Sequence, residues 1–128
     1  MPSVQNRERH VKIRYMAMIA VARSEQPPAD SERGRMADEY ARFNRDARSA
    51  SVFLIGEALQ PVETATVVRV TESGPVVTDG PFTEAKEAVG CFYLLECETL
   101  DQAIEWAAKF PDARAGAIEV RPIIEMNI

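Results

Sequence analysis

Two stretches of this chain are apolar at both parities of a strand. In Ile13-Arg14-Tyr15-Met16-Ala17-Met18-Ile19-Ala20-Val21 and in Gly90-Cys91-Phe92-Tyr93-Leu94-Leu95-Glu96-Cys97, apolar residues fall on both alternating faces. Successive strand side chains point to opposite sides of a sheet, so such strands need cover on both sides. That demand constrains the fold more than composition does.

Helical cover is scarce. Met36, Tyr40, Phe43 and Ala47 recur at spacings of four, three and four, the stripe of one helical face, which predicts a helix over 32–49 with Asp30 or Ser31 as its cap. Thr99-Leu100-Asp101-Gln102 is a capping box, and Leu100, Ala103, Ile104, Ala107 and Ala108 form the expected buried stripe of a second helix, which Pro111 ends near Lys109 or Phe110. Further strands are expected at 52–59, 65–70, 75–78 and 115–124, with Glu72-Ser73-Gly74 as a hairpin turn. In the last strand Ile118 and Val120 point one way, Glu119 and Arg121 the other, and Pro122 places its end at a sheet edge.

The order strand–helix–strand–hairpin–strand–helix–strand is that of an α+β, ferredoxin-like split βαβ sheet with both helices on one face. Two helices cover one side only. A second copy of the chain is the simplest cover for the other, so a homodimer closing as an α+β barrel is expected.

The chain has 128 residues, enough for one domain with a real core; residues 1–11 read as a polar tail and 12–128 as the single domain. A formal charge of -5 leaves no basic footprint for nucleic acid. No apolar run approaches the ~20 residues of a membrane helix, and the polar start lacks a signal-peptide core, so a cytoplasmic location is expected. Cys91 and Cys97 share one strand at a separation of about 20 Å, too far to bridge, and are expected to be reduced core residues. The single histidine, His10, lies in the tail, so neither a metal site nor a cofactor is expected.

Polar groups gather in Val77-Thr78-Asp79-Gly80-Pro81-Phe82-Thr83-Glu84-Ala85-Lys86-Glu87, between two strand-like runs. Gly80 accepts a positive φ without a Cβ clash, Pro81 turns Gly80 away from helical backbone, and aspartates such as Asp79 bond their downstream backbone in turns. Phe82 is expected to plug into the core. A rigid turn at a strand end can present Asp79, Glu84 and Lys86 to a pocket, where a carboxylate beside an ammonium suits acid/base work or anion handling. Glu57 closes an apolar strand and can aim another carboxylate into a cleft. On this reading Asp79 is the general base, with Lys86 and Glu57 as the other catalytic candidates. Glu84, Glu119 and Arg121 bind ligand, and Lys86 or Arg121 holds an anionic group. The competing reading is a turn-closing aspartate amid solvated charges, with Glu119 and Arg121 a plain surface pair.

The same residues carry a resemblance. Gly56-Glu57-Ala58-Leu59-Gln60-Pro61, Val68-Arg69-Val70, the run from Thr78 to Glu87, Ala103-Ile104-Glu105-Trp106-Ala107-Ala108 and Ile118-Glu119-Val120-Arg121-Pro122 together resemble the YCII-related family. They look most like its DGPF subgroup, named for Asp79-Gly80-Pro81-Phe82, and the resemblance runs from about Arg14 to Met126. It implies a dimeric α+β barrel. Some relatives are linked to enzyme action on small aromatic compounds, such as dehydrochlorination, and the broader group has been proposed to use a His–Asp pair. DGPF relatives also occur beside or fused to extracytoplasmic-function sigma factors, which implies regulation. This chain departs twice: His10 lies outside the fold, and Cys91 stands where relatives commonly carry glycine. Two functions stay open: a small-molecule-binding protein or small enzyme whose polar pocket around the DGPF turn takes a small anionic or aromatic molecule, or a non-catalytic module partnering a sigma factor.

Overall fold

The structure, a computed structural model, describes residues 11–22, 30–81 and 87–125. Two antiparallel strands, β1 (Ile13–Ala22) and β5 (Glu87–Cys97), form the centre of a four-stranded sheet. β2 (Phe53–Ala58) pairs with the outer side of β5 and β6 (Ala117–Pro122) with the outer side of β1, both antiparallel, so the order is β2–β5–β1–β6. Helix α1 (Asp30–Ser49) lies between β1 and β2 in the chain, and α2 (Leu100–Ala107) between β5 and β6. Each strand–helix–strand unit thus skips one strand, which the other unit supplies; this interleaving is the expected ferredoxin-like α+β arrangement. A hairpin of β3 (Thr66–Thr71) and β4 (Gly74–Asp79) forms a separate two-stranded sheet. Its turn uses Gly74 at φ 119, as the Glu72-Ser73-Gly74 signal predicts.

Alternation decides which side is covered. Tyr15, Ala17 and Ile19 of β1 and Tyr93, Leu95 and Cys97 of β5 are buried in one cluster with Phe43 and Ala47 of α1 and Ala103 and Ala107 of α2. Both helices therefore sit on that face. Met16 and Met18 of β1, and Phe92 and Leu94 of β5, point the other way and stay partly exposed. Cys97 is buried and Cys91 only half-buried; both are free thiols. β6 is an edge strand, consistent with Pro122 at its end.

Three local expectations are corrected. Asp30 is already helical, so neither it nor Ser31 is the cap of α1; Asp30 and Glu32 instead place negative charge in the first turn, where the helix dipole favours it. In α2 the Thr99 cap forms, its hydroxyl accepting from the Gln102 N–H at 3.1 Å, but the Gln102 side chain accepts from the N–H of Glu98 (2.9 Å), one residue before the cap. The buried stripe of α2 is also rotated. Leu100 and Ile104 are about half exposed and Ala108 is exposed, while Ala103, half-buried Trp106, Ala107 and Phe110 face inward. The aromatic rings decide this: Phe110 stacks on Phe43 at 4.2 Å between centroids, and Trp106 meets Phe43 edge-on at 5.8 Å.

α1 ends in a Schellman motif. The Val52 N–H donates to the Ala47 carbonyl (2.9 Å) and the Ser51 N–H to the Arg48 carbonyl (3.0 Å), with Ser51 left-handed at φ 60. Glycine takes that conformation without the Cβ clash that serine carries. Ser51→Gly should raise unfolding stability by about 1 kcal/mol, read as a higher urea midpoint at unchanged slope. A lower midpoint would contradict the left-handed cap.

Candidate functional site

A cavity of about 410 Å³ opens on the helix-covered face, lined by residues from β1, α1, β2, β5 and the 3-10 turn Pro111–Arg114. Local periodicity explains its lining. Tyr40 and Asn44 are four apart on α1 and so share a face; Cys91 and Tyr93 are two apart on β5 and share the buried side of the sheet. The pairing of β5 shifts register here. Ile19 pairs with Cys91 but Ala20 with Val89, leaving Gly90 without a partner on β1, and such bulges bend strands beside functional sites.

Two short hydrogen bonds fix the polar groups. The Tyr40 hydroxyl donates to Asp112 Oδ2 at 2.6 Å, and the Tyr93 hydroxyl donates to Asn44 Oδ1 at 2.6 Å. Each bond joins two different elements, so the cavity walls are tied together. The two phenol rings are 6.4 Å apart between centroids and nearly parallel. Tyr93 lies across Gly56: a Cβ there would come within 2.6 Å of the ring. Only glycine lets β2 approach the ring this closely.

The thiol and phenols of the site are held neutral. Burial pushes Tyr40 far above the usual phenol range, and its hydrogen bond to Asp112 adds to the effect. Burial also pushes Tyr93 up to about 12 and Cys91 up to about 11, the latter with help from the negative charges of Asp112 and Glu57. The cavity therefore offers hydroxyl, thiol and carboxamide groups and the Asp112 carboxylate against an apolar floor that includes Ile19 and Val21.

The residues singled out in the sequence are dispersed. Asp79 is exposed at the end of β4, pairs with Thr66 and does not line the cavity. The positive φ expected at Gly80 is found (φ 101), and its N–H donates across to the Ala65 carbonyl at 2.7 Å. Glu84, Lys86, Phe82 and His10 lie outside the described residues. Glu119 and Arg121 are exposed, 3.9 Å apart, and pair with Met18 and Met16 on the face away from the cavity. Glu57 does border the cavity. Its register partner Phe92 faces the uncovered side, but on an edge strand Glu57 stands at the rim, where its charge reaches Cys91.

Sequence reasoning missed Tyr40, Asn44, Cys91, Tyr93 and Asp112. Tyr40 and Tyr93 read as core because their rings are core, and Asp112 follows a helix-ending proline. A usable signal was Asn44, a polar side chain four residues after Tyr40. Among the described residues no three His, Cys, Asp or Glu gather to hold a metal, and no helix is long and apolar enough to cross a membrane.

Because the Cys91 thiol is protonated well above its ordinary value of 9.0, its alkylation in the native protein should be slow at pH 8 and climb towards pH 11. The sign for stability follows: the preference for the neutral thiol supports the fold below pH 9.0 and is lost as pH rises through about 11. Iodoacetamide labelling followed by mass spectrometry across pH checks this; rapid labelling of Cys91 at pH 7 in the folded protein would contradict it.

Comparison with known proteins supplies the family. The YCII-related domain matches residues 13–127, nearly the whole chain. A protein of Rhizobium meliloti (strain 1021), described only as uncharacterized, is 39% identical over 67 residues, which cover 51% of this chain and 54% of that protein. The chain thus spans about half the length of the curated relative it matches. With its strands, helices and hairpin all falling inside the matched span, this chain belongs to the YCII-related family.

Proposed function

We propose that this protein binds a small ring-bearing organic molecule in the cavity between α1, β2, β5 and the Pro111–Arg114 turn. One observation carries the reading: the cavity has a mostly apolar lining with a few convergent polar groups, of which Tyr40, Asn44, Tyr93 and Asp112 are paired across elements. Its volume falls within the roughly 300–1,000 Å³ typical of small-molecule sites. Locked polar groups are preorganised, so little ordering is lost when a ligand arrives. Of the residues expected from the sequence, Glu57 enters this site as its rim charge. A reaction centred on Asp79 and Lys86 would place the ligand at the DGPF turn instead, and a regulatory module acting with a sigma factor would need no ligand at all.

The uncovered side of the sheet has its own role in this proposal. Met16, Met18, Phe92 and Leu94 form its centre, with exposed Ile55 and Val89 beside them. A second copy packed face to face would remove this apolar surface from water and back the strands that line the cavity.

Two measurements test these readings. A thermal-shift screen of small aromatic and alicyclic compounds should give hits that Cys91→Leu, which fills the cavity with a residue suited to apolar surroundings, abolishes while itself melting within a few degrees of wild type. Hits that survive Cys91→Leu and vanish in Asp79→Asn would move the site to the DGPF turn. Capture of a sigma factor with no hits would favour the regulatory role. Sedimentation at micromolar concentration should find two 14.2 kDa chains together, and Phe92→Asp should separate them; a lone wild-type chain would contradict the face-to-face pairing.

A further inference from the structure

The charge balance around the cavity narrows the ligand, given that the cavity is a ligand site at all. Both charged residues in its described lining, Glu57 and Asp112, are acidic. Three nearby cations have partners of their own, and Arg33 and Arg35 line a separate hollow that also reaches Asp112. Arg114, two residues after Asp112, reaches back to Glu39 at 3.0 Å; Arg48 lies over the Phe53 ring at 4.5 Å; Lys109 lies over Trp106 at 4.2 Å. Asp112 itself is only half used. Tyr40 donates to its Oδ2, and among the described residues no donor to Oδ1 is found. With no buried side-chain polar atom left unpartnered among the described residues, Oδ1 is solvent-accessible, and a donating ligand takes the place of water there.

Asp112 shares the cavity lining with the rings of Tyr40 and Tyr93. Aromatic faces attract cations through their quadrupole, and a carboxylate next to them adds direct charge attraction and a charge-assisted hydrogen bond. A carboxylate or phenolate ligand would meet the reverse: like charge from Asp112 and Glu57 and no described cation in the lining.

We propose that the cavity selects a small organic amine, bound as its ammonium, with the N–H donating to Asp112 Oδ1 and the hydrocarbon ring resting on the apolar floor of Ile19 and Val21. This reverses the anionic ligand expected from Lys86 and Arg121. Asn44 has a supporting part: with its Oδ1 taken by Tyr93, its side-chain NH₂ is the group left to meet a neutral acceptor on the same ligand.

Three probes of one shape test the proposal: benzylammonium, benzyl alcohol and benzoate, titrated into the intact protein while the amide signals of Gly90, Cys91 and Asp112 are followed. Benzylammonium should bind about tenfold more tightly than benzyl alcohol, and benzoate about tenfold more weakly than the alcohol. Asp112→Asn keeps an acceptor for Tyr40 but removes the charge, so it should bring benzylammonium to within about twofold of benzyl alcohol. Raising salt should weaken the ammonium alone. Benzoate binding as tightly as benzylammonium, or an ammonium preference that persists in Asp112→Asn, would overturn the proposal. Equal binding of all three at the cavity amides would overturn the amine selectivity and leave the cavity as a ligand site. If none of the three perturbs those amides while compounds bind elsewhere, the site reading falls, and the amine proposal with it.

Discussion

Everything in this molecule depends on the alternation of side chains along β1 and β5, the central pair of the sheet. One parity meets the helices and is buried; the other is left to its own devices. Because the period is two, a slip of one residue would exchange the sides completely. Tyr15, Ala17 and Ile19 against Tyr93, Leu95 and Cys97 make the covered side an unbroken apolar layer, and that layer pins the register. The site inherits the choice. Cys91 and Tyr93 look into the cavity because they share the parity of Leu95, and Glu119 and Arg121 look away from it because they pair with Met18 and Met16.

Tyr93 joins core to site. Its ring packs against Phe43, Phe53 and Phe110 in edge-on and tilted contacts, and its hydroxyl reaches Asn44 in the cavity. Such pairs add about 0.5–1.5 kcal/mol each beyond the area they bury, so the ring is firmly held. Gly56 permits the close approach of β2 to that ring, and the β5 bulge at Gly90 shapes the cavity mouth. Packing thus does what a binding site needs: it immobilises the polar groups before any ligand is present. The Tyr40–Asp112 bond does the same from the helix side, tying α1 to the turn after α2.

Most of the architecture was legible in the sequence, and the reason is periodicity. The two-sided strands, the Met36–Ala47 stripe and the Thr99 cap each express a local rule, and the element order then leaves few ways to arrange them. The α2 stripe departs from the one expected from composition: Leu100 and Ile104 stay half exposed while Trp106 and Phe110 pack on Phe43. Among the described residues, Glu57 is the expected site residue that borders the cavity. Asp112 and Tyr40 are 72 residues apart, and no local rule links a helical tyrosine to an aspartate in a later turn. Asp79 and the Glu119–Arg121 pair stand apart from the cavity, while Glu84 and Lys86 of the DGPF run lie outside the described residues.

The family assignment settles ancestry and leaves chemistry to the residues themselves. In this chain they make an open, neutral-to-acidic hollow whose walls are tied together by hydrogen bonds. The most direct test is a crystal structure after soaking with a mixture of small ring compounds. The account predicts density in the cavity, within hydrogen-bond reach of Asp112 Oδ1 or the Asn44 carboxamide. Density confined to the uncovered sheet face or to the β3–β4 hairpin, with the cavity filled only by water, would contradict it.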